Sequence, residues 1–233
     1  DRVAKLKHKG SGVFHIAQKL LEKLTPNLIL TQELCDVCAI SWTQVKKAAR
    51  VLDGDVKIIS LEPESIEDIL ENIMLVGETR HKGQESSELV KNLENRIKKL
   101  DSRLLSPATK KPKVLIIEWL EPIMIAGHWV PEMVEKAHGE AMKTKPGQKS
   151  VPITKEEIVK SSPDIIIFAP CGFDIKRTLR EKDLIEKLLH IYLRRRQAML
   201  IVDRQKSVEV PKIFLMDGNA YLTRPGPRII DGV

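Results

Sequence analysis

Residues 163–174, Pro163-Asp164-Ile165-Ile166-Ile167-Phe168-Ala169-Pro170-Cys171-Gly172-Phe173-Asp174, decide the fold. A proline leads into a branched apolar run that is too short for a helix, and a Pro-Cys-Gly turn ends it. A run with no polar alternation suits a strand buried on both faces, as in a parallel sheet. Helical spacing at Lys155–Ser161 before it and Ile175–Leu189 after it places this strand between two helices.

The same alternation extends in both directions. Strands are expected at Asn27–Thr31, Val56–Leu61, Val114–Trp119, Asp164–Ala169 and Ile213–Met216, and helices at Val13–Leu24, Thr43–Leu52, Ser65–Val76 and Pro131–Ala137. Two helix starts are well marked. Thr154 is followed by Glu157, and Ser65 stands ahead of Glu67 and Asp68, where acidic groups favour a helix N-terminus. The segment from Tyr192 to Val210 has weak periodicity and receives no assignment.

Between Gln84 and Leu105, Leu89, Leu93, Ile97, Leu100 and Leu104 recur at spacings of four and three among charged residues. This is one apolar stripe on a long helix, which reads either as a connecting strut or as an ordinary surface helix. An internal repeat favours the strut. Pro26-Asn27-Leu28-Ile29-Leu30, with Cys35 close behind, matches Pro163-Asp164-Ile165-Ile166-Ile167, with Cys171 close behind. The expectation is an α/β protein of two parallel-sheet, Rossmann-like lobes: a first lobe over 1–82, a connecting helix over 83–106 and a second lobe over 107–233. The strand at Val114 has no counterpart ahead of Pro26, so the first lobe is expected to lack its opening strand and helix.

Composition excludes several classes. A chain of 233 residues with 42% hydrophobic and 30% charged residues can bury a core and has no apolar run long enough to span a bilayer. Thirty-nine Lys and Arg against 32 Asp and Glu leave a net charge of +7, but the basic residues are dispersed and aromatics make up only 4%, which argues against nucleic acid as a partner. The opening DRVAKLKHKGSG lacks the apolar stretch of a secretion signal. Three cysteines cannot all pair within one chain. These features favour a cytoplasmic location for the chain as it stands, and an extracytoplasmic one if a signal peptide precedes residue 1.

Ligands of open parallel sheets bind beyond the carboxyl ends of the strands. Here the turns at those ends hold most of the unusual residues. Gln32, Glu33, Cys35 and Cys38 follow the first strand, Trp119 and then His128 and Trp129 follow the third, Cys171, Gly172 and Phe173 the fourth, and Asn219, Tyr221 and Arg224 the last. Trp119, Trp129, Phe173 and Tyr221 suit packing on a large planar or macrocyclic ligand, while Gln32, Glu33, His128 and Asn219 supply directional polar contacts. Taken singly, each aromatic also suits a core position.

Cys35 and Cys38 form a C-x-x-C with no second pair and no H-x-x-x-H, so a structural zinc is not expected. One thiol from each lobe together with His128 would make a soft donor set for a transition metal, and small buried thiols packed behind their turns are the alternative. No metal site and no cofactor are assigned. The chain lacks G-x-S-x-G, a phosphate-binding loop, G-x-G-x-x-G after a strand and H-E-x-x-H. Glu62, Glu118 and Glu121 have no spacing that forces an acid–base pair, and Arg194, Arg195 and Arg196 read as a solvated helix end. An enzyme is not expected.

Five segments carry a resemblance: PNLILTQELCDVCAISWTQVKKAARVL, SLEPESIEDILENI, VLIIEWLEPIMIAGHWVPEMVEKAHG, SPDIIIFAPCGFDIKRT and DGNAYLTRPGPRIIDG. Together they resemble the cobalamin-binding-protein-like branch of the iron-siderophore and vitamin B12 substrate-binding proteins. The resemblance implies two α/β lobes joined by one long helix, the class III arrangement of periplasmic binding proteins. It also implies a ligand held in the cleft between the lobes and delivered to an ATP-driven importer. Carried over by residue, the cleft positions are Gln32–Cys38 with Trp42, then Trp119, Pro122–Trp129, Cys171–Asp174 and Asn219–Arg224. The segment HIYLRRRQAMLIVDRQKSVEVPK departs from the family pattern, which has a shorter link there.

The leading expectation is a non-catalytic binder of a corrinoid or another metal chelate, with an importer permease as its partner. A thiol-based metal or redox site acting on a small molecule, and a remnant scaffold without ligand, are the alternatives.

Overall fold

The branched apolar runs form strands, as their composition requires, and each run's position in the sheet follows from how fully it is buried. A computed structural model describes residues 16–32, 34, 42–50, 52, 56–104, 110–202 and 210–233. The chain divides into two compact units, Asp1–Pro63 and Glu64–Val233.

In the smaller unit, helix α1 (Gln18–Leu24) leads into strand β1 (Leu28–Thr31), followed by helix α2 (Trp42–Ala49) and strand β2 (Lys57–Ser60). β1 and β2 pair in parallel, Leu28 opposite Lys57 and Thr31 opposite Ser60. α2 buries Val45, Ala48 and Ala49. α1 buries no residue and is tied down by Gln18, whose side-chain amide donates to the Ala48 carbonyl at 3.1 Å. The expected helix start at Val13 lies outside the described residues.

The larger unit opens with an antiparallel helix pair, α3 (Ile66–Thr79) and α4 (Gly83–Leu104). Ser65 and Asp68 form a capping box on α3, so the marked start is where the helix begins. The stripe on α4 divides: Leu93 and Ile97 are buried, whereas Leu89 is exposed. At the turn between the helices Gly77 lies so close to the Ser86 side chain that a methyl group would collide with it. An ion pair from Arg96 to Asp231 ties α4 to a 3-10 helix at Pro227–Asp231.

The chain continues through β3 (Lys113–Leu120), β4 (Ile123–Ile125), α5 (Val130–Lys136), β5 (Glu140–Ala141), β6 (Val151–Pro152), α6 (Lys155–Ser161), β7 (Ile165–Phe168), α7 (Ile175–Leu179), α8 (Lys182–Val202), β8 (Lys212–Leu215) and α9 (Gly218–Tyr221). The sheet runs in the order β6-β4-β3-β7-β8, with β5 also on β3. β7 is parallel to both neighbours, Val114 opposite Ile165 and Ile165 opposite Lys212. Leu115, Ile117, Ile166 and Phe168 pack with Ile158 and Val159 of α6 and with Ile185, Leu188 and Tyr192 of α8. Alternation along β3 turns Val114 and Ile116 to the opposite face, where Val130 and Val134 of α5 are also buried. Helices thus cover both faces, the doubly wound plan that the isoleucine run implies.

Two expectations change. The sheet is mixed, because Glu121-Pro122 reverses the chain and the stretch expected as a turn holds β4, antiparallel to β3 and to β6. The helix expected over Ile175–Leu189 is two helices with a break at Arg180-Glu181, where the Leu184 and Ile185 amides both return to the Glu181 carbonyl. α8 then continues to Val202, so most of the unassigned segment is helical, and residues 203–209 lie outside the described set. Thr154 and Glu157 form the capping box on α6 that their spacing predicts.

Candidate ligand-binding site

Three strand ends of the larger unit meet. On β3 the register against β4 shifts between Ile117 and Trp119, a bulge at Glu118 that re-aims the following side chain. Trp119 is half-buried, and its indole N–H donates to the Glu121 carbonyl at 3.1 Å. Beyond β7, the Ala169 amide donates to the Ile117 carbonyl at 2.9 Å and the Cys171 amide to the Glu118 carbonyl at 2.9 Å. These bonds extend the ladder past the strand and bring the next turn beside Trp119.

That turn closes through the Phe173 amide, which donates to the Pro170 carbonyl at 3.0 Å. Gly172, third of its four residues, has φ +74°, a conformation that glycine adopts without strain. Phe173 meets Trp119 edge to face, the ring centroids 5.5 Å apart and the planes at 60°. On α7, four residues on, Arg177 places its guanidinium carbon 4.2 Å from the Phe173 ring centroid, and it also pairs with Glu181 at 2.6 Å. Asp174 caps α7, its carboxylate accepting from the Arg177 amide at 2.6 Å.

Beyond β8, Asp217 caps α9 by accepting from the Ala220 amide at 2.8 Å. Gly218 sits against the preceding turn so tightly that a methyl group there would lie 2.5 Å from the Pro170 oxygen and 2.7 Å from the Ala169 oxygen. The Asn219 amide donates to the Phe173 carbonyl at 3.1 Å, and the Gly172 amide to the Thr223 hydroxyl oxygen at 3.4 Å. Tyr221 is 39% exposed and Arg224 is exposed, so both present side chains to solvent from this turn.

The expected residues therefore separate. Trp119, Cys171, Gly172, Phe173 and Asn219 share one hydrogen-bonded platform, with Tyr221 and Arg224 on its outer turn. Trp129 leaves the expected wall: it is 5% exposed and its indole N–H donates to the buried Leu222 carbonyl at 2.9 Å, so it is a core residue behind the platform. His128, with φ +54°, is held by its amide on the Gln148 carbonyl at 2.5 Å and by the Gly147 amide on its own carbonyl at 3.0 Å. Its ring lies 6.0 Å from that of Trp129. Gln32 is half-buried at the end of β1 in the smaller unit, and Trp42 opens α2. Glu33, Cys35 and Cys38 lie outside the described residues.

Arg177 escaped the sequence reading, and Thr223 fell within the carried-over range Asn219–Arg224 without being singled out. Phe173 stands just ahead of the Asp174 cap, a position that packs on the first turn of the helix, and this placed Arg177 within reach of its ring. Among the described residues no group of three His, Cys, Asp or Glu side chains is placed to hold a metal ion, and no helix is long and apolar enough to cross a membrane.

The family model for periplasmic binding proteins matches residues 21–190, most of the chain. The chain belongs to the periplasmic binding protein family. Comparison with solved structures agrees, and the mixed-sheet α/β architecture is that of the class III fold. An ABC transporter substrate-binding protein from Listeria monocytogenes superposes with a TM-score of 0.66 at 19% identity, covering 92% of this chain and 78% of its own. The periplasmic heme-binding protein RhuT from Roseiflexus gives 0.66 at 19% identity, covering 93% and 76%. The periplasmic vitamin B12 binding protein BtuF of Vibrio cholerae gives 0.60 at 14% identity, covering 95% and 76%. A comparison with curated proteins gives no match. The family name implies an extracytoplasmic location, which is the arm of the compartment expectation that calls for a signal peptide ahead of residue 1.

Proposed function

We propose that this periplasmic binding protein is the solute receptor of an ABC importer and that it holds a corrinoid or another metal chelate by contact, without catalysis. The platform of Trp119, Phe173 and Tyr221 carries the reading. The Trp119 and Phe173 rings meet on one hydrogen-bonded surface at the carboxyl edge of the sheet, where open α/β folds bind ligands, and the adjoining turn after β8 carries the exposed Tyr221. Tyr221 is exposed and Trp119 and Phe173 are both half-buried, Phe173 touching the Trp119 ring and the Arg177 guanidinium. Large, partly exposed rings on a rigid base suit a flat macrocycle better than a small polar solute.

Relatives of the same fold support the ligand class, since one is named for heme and another for vitamin B12. The test is titration of the purified protein with cobinamide, cyanocobalamin and hemin while the macrocycle absorption bands are followed, with co-elution on gel filtration as a second readout. Binding of a corrinoid at micromolar concentration or below is expected. Unchanged spectra and no co-elution for all three would remove the reading, and binding of hemin alone would redirect it to porphyrins.

A further inference from the structure

Trp129 and Thr223 act at adjoining residues of the turn that carries Asn219, Tyr221 and Arg224, and neither side chain is part of the exposed aromatic surface. The Leu222 carbonyl accepts the Trp129 indole N–H at 2.9 Å from the far side of the core. One residue on, the Thr223 hydroxyl donates to the Gly218 carbonyl at 2.8 Å and accepts from the Gly172 amide at 3.4 Å. Leu222 itself is 1% exposed. A turn without a regular ladder is thereby held to the β4–α5 connection by the Trp129 indole and to the turn after β7 by the Thr223 hydroxyl, alongside the bond from the Asn219 amide to the Phe173 carbonyl. The Gly218 carbonyl also accepts from the Leu222 and Thr223 amides, so what the Thr223 hydroxyl adds is the bridge to Gly172, whereas the buried Leu222 carbonyl, on losing the indole, must find another donor or move.

We propose that Trp129 and Thr223 are positioning residues of the candidate site, clamping the Gly218–Arg224 turn so that Tyr221 and Asn219 keep a fixed register with Trp119 and Phe173. This rests on the ligand reading above for its consequence in binding, while the clamp itself can be measured without ligand. The geometry separates the two roles of the indoles: Trp119 offers ring surface, and Trp129 offers one N–H.

The test uses the full chain with Trp129→Phe, Thr223→Val and Thr223→Ser. Amide hydrogen exchange is read residue by residue, and affinities for cobinamide and hemin are measured alongside. Trp129→Phe and Thr223→Val should speed exchange at Gly172 and Asn219–Thr223 while leaving Ile166 and Phe168 of β7 unchanged, and should weaken probe binding by about five- to tenfold. Thr223→Ser keeps the hydroxyl and should restore both. Exchange that rises evenly over the whole sheet, or that stays unchanged in the turn, overturns the clamp. If the wild-type chain binds neither probe yet shows the localised exchange pattern, the clamp is supported and the ligand reading falls.

Discussion

The two units use the same vocabulary of parallel strand and helix but differ in how they bury it. In the larger unit Phe168 and Ile117 are completely buried, and helices cover both faces of a six-stranded sheet. In the smaller unit the described strands form a two-stranded parallel pair, α1 buries nothing, and Leu20, Leu24 and Leu30 are 54%, 64% and 43% exposed. Parallel pairs draw their stability from covered faces, because their hydrogen bonds alone contribute little net free energy. Alternation of elements therefore records a fold plan, and only the number of covered faces records where the stability lies.

The sharpest way to break this comparison is to truncate matched apolar side chains. Phe168→Ala should cost about 3–5 kcal/mol through lost transfer energy and a cavity, whereas Leu24→Ala should stay within about 0.5 kcal/mol. Urea denaturation measures both, and equal losses would mean that the smaller unit is as tightly built as the larger. The next effect tests whether close packing reaches the site. Gly218→Ala pushes a methyl group into two backbone oxygens and should cost about 1–3 kcal/mol with loss of macrocycle binding, while Gly83→Ala, which meets no atom within 4 Å, should be neutral or slightly stabilising.

Much of this was legible in the residues. The run Ile165–Phe168 with Pro163 before it and Gly172 after it specifies a buried strand and its exit turn, and the spacing of Thr154 and Glu157 specifies a helix start. Local rules suffice there because the deciding contacts lie within a few residues. β4 was not legible, because its three residues pair only through a reversal at Glu121-Pro122 and a bulge that no periodicity records. Neither was the burial of Trp129, which depends on Leu222, 93 positions away. An indole beside a strand end looks the same in sequence whether it faces a ligand or satisfies a remote carbonyl. The strand ends could be located from sequence, but which of their aromatics face outward is set by long-range packing.

A third prediction concerns binding. Trp119→Ala should weaken the corrinoid complex by about tenfold while leaving the denaturation midpoint nearly unchanged, since the ring is only half-buried. Calorimetric titration and urea denaturation of this variant read the two effects separately, and an unchanged affinity would remove Trp119 from the proposed site.

The smallest expected effect compares the two opening helices by pH. α1 starts at Ala17 with no side-chain cap, whereas α3 starts at a capping box. The Glu64 amide, 2.8 Å from the Asp68 carboxylate, holds that group below the usual aspartate range; partial burial opposes the shift, and the Ser65 side chain and amide add to it. A carboxylate with a depressed folded pKa contributes stability that is complete above its unfolded value near about pH 4 and is lost as pH falls through the lower folded value. Asp68→Asn should therefore be less stable than the wild type by about 0.5 kcal/mol at neutral pH, a figure reduced by solvent screening at this largely exposed site. The difference should shrink as the pH falls through the lowered folded value, where the carboxyl becomes neutral like the amide that replaces it. Denaturation midpoints across that range read the effect directly. A gap that persists in acid would mean that the cap acts through hydrogen-bond geometry alone, and the charge would then play no part in anchoring the helix that opens the larger unit.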